Sequence, residues 1–385
     1  MSISMLQRLR ILLNEWNYRR LLRRKIKRLQ RMARDCSADN SICDNTGNSV
    51  WPRRVQSVLL VDPLHCYGDS LYVNALLHQL LEDTPTLDIT VLTEKHLFDV
   101  YKHSGCRLKN YKSIKEVNEI NLENFDLVID LDYKDDTEWD FRRRFYGEKK
   151  QCVVTLSPVV KEAKIFTGWL NLKDKTHFGQ RMAMVAGFVR SAVVGKCFIS
   201  EDKQVCCSEI ENCFLEPYLD IRKSNDAKRD NCIYINTQGS ESERSFSQNQ
   251  VNALVNWFNA QKKYKGLFYT GGSKYFIKET GTVINVKTDT FMKAAELAVG
   301  CRGVVSPDTS MVHVAFANKI PLLAVYALSK KEYPSGQYQF DVWKPRYDKA
   351  TVLLKSCRTL REISEKDIIN AFGRFIDSLD DVTVG

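Results

Sequence analysis

No stretch of the chain approaches the ~20 consecutive apolar residues that a membrane-spanning helix requires. The basic N-terminus lacks an apolar core, because its leucines are interspersed with arginines, so it does not read as a secretory signal. Twelve cysteines are present, yet none forms a C-x-x-C pair, which argues against a zinc ribbon or a thioredoxin-type site. They are scattered, and several sit inside apolar runs, as buried free thiols of a reducing compartment would. Only Cys206, Cys207 and Cys213 cluster, and buried thiols remain the better reading there as well. No excess of charge exists beyond the N-terminal segment. Residues 1–34 hold eleven Lys or Arg and one acid, Glu15, which equals the net charge of +10 of the whole chain.

That segment, "MLQRLRILLNEWNYRRLLRRKIKRLQRMAR", contains no glycine or proline and spaces its apolar residues by three and four. The pattern predicts a basic amphipathic helix. Such a helix suits an anionic membrane surface, where each Lys or Arg contributes about 1 kcal/mol. A helix packed on its own domain and a nucleic-acid arm are the other readings, and no RNA-recognition signature follows it. Residues 35–50 are polar and turn-rich, as a linker is.

At 385 residues the chain exceeds what one hydrophobic core usually serves, so two domains are expected. From Val55 onward, short apolar runs alternate with helix-like periods, the mark of an α/β fold with parallel strands. The runs are "VQSVLLVD", "DITVLTE", "DLVIDLDY" and "CVVTLSPV", with helices beginning near Ser70 and His96. A charged stretch, residues 219–231, marks a junction. The alternation restarts with "CIYINTQGS", a helix over 248–261, "GLFYTGG", "TVINVKT", a helix over 291–299, "GVVSPDTS", a helix over 311–318 and "PLLAVYAL". Two Rossmann-like domains in tandem follow, over residues 51–222 and 223–360. Residues 1–50 form the helix and linker, and residues 361–385 a last helix packing back across the junction.

Parallel sheets bind ligands beyond the carboxyl ends of their strands, so polar strand ends are the places to search. In "VDPLHCYGDS" the first strand is followed by His65, Tyr67, Gly68 and Asp69, where Asp69 is either a helix cap or a general base. In "NTQGSESERSFS" the polar loop offers Thr237, Gly239, Ser240 and a single Arg244 before a helix capped by Ser247, a pattern suited to a diphosphate. In "VVSPDTSMVH" a strand ends at Asp308, Thr309 and Ser310, with His313 one turn into the next helix. Asp130 and Asp132 in "LVIDLDY" could hold a divalent metal, or face solvent from alternate strand positions.

"VVSPDTSMVHVAFANKIPLLAVY", "YGDSLYVNALLHQLLEDTPTLDITVLTE", "FDLVIDLDY" and "INTQGSESERSFSQNQVNALVNWF" together resemble glycosyltransferase family 9, the heptosyltransferase family of the lipopolysaccharide core. Their order matches too, over about residues 55–360. The resemblance implies a GT-B fold: two Rossmann-like domains facing across a cleft, with the acceptor in the first and a nucleotide-sugar in the second. It implies an inverting reaction without metal or other cofactor, and it demotes the metal reading of Asp130 and Asp132. Asp69 then corresponds to the general base, Arg244 to a phosphate-binding basic residue, commonly lysine, and Asp308, Thr309 and His313 to donor-site residues. The expected partners are a nucleotide-sugar, ADP-heptose before others, and a lipid-linked or oligosaccharide acceptor. An anionic membrane surface would meet residues 1–34, and no nucleic acid is expected. Three departures stand out: Ser310 where the family has glycine, arginine at 244, and the unusual loop 63–67.

Overall fold

The structure is a computed structural model describing residues 55–63, 66–131, 145–146, 153–156, 168–170, 177–199, 205–207, 214–221, 229–239, 241–271, 275–328 and 337–381. The basic segment 1–34, His65, Asp132 and Ser240 lie outside the described residues. The chain divides into two compact units, Met1–Leu215 and Glu216–Gly385. That division falls a few residues before the expected boundary at 222.

The first unit opens with β1 (Ser57–Val61), α1 (Tyr67–Asp83) and β2 (Asp88–Thr93). Then come α2 (Phe98–Tyr101), β3 (Arg107–Asn110), α3 (Ile114–Asn118), β4 (Leu127–Asp130), β5 (Val153–Thr155) and β6 (Gly168–Trp169). A long helix, α4 (Phe178–Val193), and an antiparallel pair, β7 (Cys197–Ile199) and β8 (Val205–Cys207), complete it. The six parallel strands run β3-β2-β1-β4-β5-β6. β1 and β4 are almost wholly buried, which is why they read as unbroken apolar runs and not as alternations. α1 packs against α4, with Tyr72 meeting His177 and Phe178 edge-on at 5.8 and 5.7 Å. His177 begins α4: its Nδ1 accepts from Gly179 N–H at 3.0 Å while Gln180 Oε1 accepts from His177 N–H at 3.1 Å.

The second unit repeats the plan with β9 (Arg229–Asn236), α5 (Gln248–Gln261), β10 (Lys265–Tyr269), β11 (Val283–Val286) and α6 (Phe291–Val299). It continues through β12 (Cys301–Pro307), α7 (Ser310–Ala317), β13 (Leu322–Ala327), α8 (Gln337–Trp343), β14 (Ala350–Lys355) and α9 (Glu365–Asp381). Its parallel strands run β11-β10-β9-β12-β13-β14. Counted within each unit, both sheets have the order 3-2-1-4-5-6 of a doubly wound dinucleotide-binding fold, whose strand order reverses beside the first strand. α9 lies on α5 and on the β13 and β14 edge of its own unit's sheet. Phe372, Phe375, Ile376 and Leu379 enter one core with Phe258, Val305 and Leu323. Gly303 on β12 makes this approach possible, since a Cβ there would stand 2.8 Å from the Phe375 ring.

Candidate functional site

Residues with chemistry sit at the carboxyl ends of the central strands in each unit. In the first unit, β1 is followed by Asp62, which is fully buried and ties the strand end to its neighbours. Its carboxylate accepts from the Tyr101 hydroxyl at 2.7 Å and the Thr93 hydroxyl at 3.2 Å. Burial, and then the charge of Asp62, push the Tyr101 phenol well above its ordinary value. α1 begins at Tyr67, earlier than the Ser70 expected from the sequence, so Gly68 and Asp69 are its second and third residues. Asp69 is therefore not the residue that precedes the helix; that position belongs to Cys66, which makes no side-chain cap. Asp69 lies instead inside the first turn, 6% exposed, at the positive end of the helix dipole. Tyr67 sets its ring edge-on to His96 at 5.3 Å, and His96 Nδ1 lies 3.0 Å from Glu94.

Asp130 ends β4, fully buried, and accepts a hydrogen bond from the Tyr146 hydroxyl at 3.2 Å. Among the described residues no group of three His, Cys, Asp or Glu side chains converges as a metal site would.

In the second unit the loop after β9 folds back on itself. Thr237 donates its hydroxyl to Tyr269 O at 2.9 Å, and Thr237 O accepts from Phe246 N–H at 3.0 Å. Gly239 N–H donates to Ser245 Oγ at 3.0 Å. Its Cα lies so near the next turn that a Cβ would stand 2.6 Å from Arg244 Cβ and 2.7 Å from Arg244 O. Glycine at 239 is thus what lets the loop deliver Arg244. Tyr275 closes the loop from outside, donating to Phe246 O at 2.5 Å.

The guanidinium of Arg244 reaches Asp308, Nη1 to Oδ2 at 3.7 Å, which brings together two loops that the sequence holds far apart. Burial pushes the Asp308 carboxyl above its ordinary value, and the Arg244 charge draws it partly back. Thr309 precedes α7 and accepts from Met311 N–H at 3.2 Å. Ser310 is the first residue of α7, one before the start expected at 311. Its backbone is not in the left-handed region, since non-glycine residues there are Lys262 and Lys319 among the described residues. A serine in place of the family's glycine therefore causes no backbone strain. His313 is 4% exposed within α7, its ring 5.8 Å from that of Trp343 on α8.

Arg244, Asp308, Thr309, Ser310, Thr237 and Gly239 thus belong to one end of one sheet, and Tyr67, Gly68 and Asp69 to the corresponding end of the other. The sequence reading missed Asn236, Ser306, Ser245, Tyr275 and Trp343. Asn236 alone carried a signal, being a polar residue that ends an apolar strand.

Residues 277–360 match the profile of glycosyltransferase family 9 (heptosyltransferase). The match covers 84 of the 385 residues. This glycosyltransferase-like stretch contains Asp308, Thr309, Ser310 and His313. The chain is also similar in fold to "ADP-heptose lps heptosyltransferase II" of E. coli, with a TM-score of 0.61, 15% identity, and 84% of this chain and 99% of that one covered. A family 9 glycosyltransferase from Veillonella parvula gives 0.60 at 16% identity, covering 85% and 98%. E. coli heptosyltransferase WaaC with ADP gives 0.58 at 13%, covering 84% and 98%. At such identities these likenesses show the fold, which is the GT-B type that the four motifs implied. No curated protein matches the chain.

Proposed function

We propose that this glycosyltransferase is inverting and metal-independent, and that it moves heptose from ADP-heptose onto a lipopolysaccharide-core or related glycan acceptor. The observation that carries the reading is the Arg244–Asp308 contact at the start of α7, where Asp308 lies inside the stretch that matches the family. A guanidinium beside a helix N-terminus grips a diphosphate and stabilises it as it departs. The ADP and the ADP-2-deoxy-2-fluoro heptose in two structures of the structurally similar E. coli heptosyltransferase WaaC support an adenine nucleotide as donor.

In this reading Asp69 takes the proton of an acceptor hydroxyl as its oxygen forms a bond to the anomeric carbon. The bond from that carbon to the diphosphate breaks, its electron pair leaves with the nucleotide, and the configuration inverts. Charge develops on the sugar as an oxocarbenium and on the diphosphate as an anion. Arg244, the loop from Thr237 through Gly239 and Ser240, and the start of α7 at Asp308, Thr309 and Ser310 receive that anion. His313 borders the donor from within α7. His65, Tyr67 and Gly68 border the acceptor.

The test is transfer by the whole chain with a panel of ADP-, UDP- and GDP-sugars, with and without EDTA. ADP-heptose turnover unchanged by EDTA is expected. Replacing Asp69 by Asn is expected to cut kcat by about 10²- to 10⁴-fold while ADP still binds. An unaffected kcat would remove Asp69 as base and favour a non-catalytic nucleotide-sugar-binding role. Activity lost in EDTA and restored by manganese would favour a metal-dependent transferase through Asp130 and Asp132. The hydrogen bond from Tyr146 to Asp130 gives that acid a structural task and supports the first reading.

The place of action proposed is the cytoplasmic face of a bacterial inner membrane, held there by residues 1–34. Among the described residues no helix is long and apolar enough to cross a membrane.

A further inference from the structure

Three side chains at the donor end of the second sheet form a closed hydrogen-bond set. Asn236 ends β9, and Ser306 lies near the end of the adjacent β12; both are buried, at 4% and 0% exposed. Asn236 Nδ2 lies 3.1 Å from Ser306 Oγ and 3.0 Å from Thr309 Oγ1. An amide nitrogen carries two hydrogens and no acceptor, so it donates to both hydroxyls. Ser306 gives its one hydrogen to Pro307 O, 2.8 Å away, because a carbonyl can only accept. Ser306 must then accept from Thr309, whose Oγ1 is 2.9 Å away.

The hydroxyl of Thr309 is thereby saturated. It donates to Ser306, and it accepts from Asn236 and from Met311 N–H at 3.2 Å. Val312 N–H is also engaged, by Thr309 O at 3.1 Å. Neither hydrogen bond nor ring contact engages the N–H and hydroxyl of Ser310 among the described residues. One threonine is spent inside the protein, and the adjacent serine offers two donors at the positive end of α7.

We propose that Asn236 is a positioning residue which fixes Thr309, so that Ser310, through its N–H and its hydroxyl, and not the Thr309 hydroxyl, is what holds the donor diphosphate. This rests on the donor-site reading above and sharpens it: Thr309 orients, Ser310 binds. The serine in the family's glycine position becomes an added phosphate contact of this chain.

Calorimetric titration of the whole chain with ADP and with adenosine tests it, because only ADP carries the diphosphate. Asn236→Asp reverses the hydrogen-bond polarity and adds a negative charge beside the anion, so ADP affinity falls at least about tenfold while adenosine holds within about twofold. Ser310→Ala and Ser310→Gly lower ADP affinity by about three- to tenfold with adenosine again unchanged. The pair Asn236→Ala with Thr309→Val is no weaker than Thr309→Val alone, because residues acting as one unit do not add. Ser310→Ala, whose side chain lies outside the Asn236–Ser306–Thr309 hydrogen-bond set, decides the case even where Asn236→Ala fails to fold. The proposal is overturned by equal losses for ADP and adenosine, by multiplying effects in the double variant, or by Ser310→Ala binding ADP normally. A natural chain that binds no ADP overturns the donor-site reading itself, whereas normal binding with these outcomes overturns only the roles of Asn236 and Ser310.

Discussion

Arg244 and Asp308 are each partly exposed, at 33% and 24% of their side-chain surface, so their contact at 3.7 Å is an adjustable one. A diphosphate offers the guanidinium two oxygens in its own plane, which Asp308 at this distance does not. Arg244→Ala should therefore raise the donor KM by about ten- to a hundredfold, and Arg244→Lys by much less, in initial-rate assays. Asp308 gives a pH test. Burial raises its carboxyl above the ordinary value, so the folded chain holds that proton more tightly than the unfolded one. Its favourable contribution is complete at acid pH and is lost as pH rises through the raised value. Asp308→Asn should accordingly melt higher than the natural chain at pH 7, with the gain vanishing towards pH 4 in a series of thermal scans. These single residues were unequally legible. Asp69 follows Gly68, and Arg244 belongs to a glycine- and serine-containing loop that follows a strand, both local patterns. Asn236 meets Ser306 across 70 residues of chain, through the register of two parallel strands, and no local pattern encodes that.

At the scale of elements, legibility followed periodicity and caps. α5 begins at the expected residue because Ser247 and Gln250 cap it reciprocally: Ser247 Oγ accepts from Gln250 N–H at 3.2 Å, and Gln250 Oε1 from Ser247 N–H at 2.7 Å. Ser247→Ala should cost about 1 kcal/mol, read as a lower denaturant midpoint. α4 escaped the sequence reading because "FGQRMAMVAGFVRSAV" is buried around most of its circumference and shows no polar face to give a period. β3 escaped for the opposite reason: as an edge strand, "RLKN" has no buried residue. Gly239→Ala tests the loop that carries Arg244. Its Cβ would collide with Arg244 itself, so the donor KM should rise more steeply than stability falls, as initial rates and melting followed together would show.

The whole molecule pairs two sheets of the same strand order with a charge excess confined to one short segment. The tandem alternation made both sheets legible, whereas their 3-2-1-4-5-6 order, one of several that right-handed crossovers allow, is set by long-range pairing. If residues 1–34 are a surface anchor, their removal should abolish sedimentation with anionic vesicles and leave kcat on a soluble acceptor unchanged. Binding that persists without them would place the anchor elsewhere.

The last helix has a consequence for how the protein is made. α9 is the final described element, yet its Phe372, Phe375 and Leu379 complete the core that β12 and β13 begin. A ribosome therefore releases nearly the entire second unit before one face of its sheet can be covered. The first unit, whose strands and helices all precede residue 216, can fold while synthesis continues. The second must wait with Val305, Leu323 and Phe258 uncovered until α9 has been synthesised and can dock.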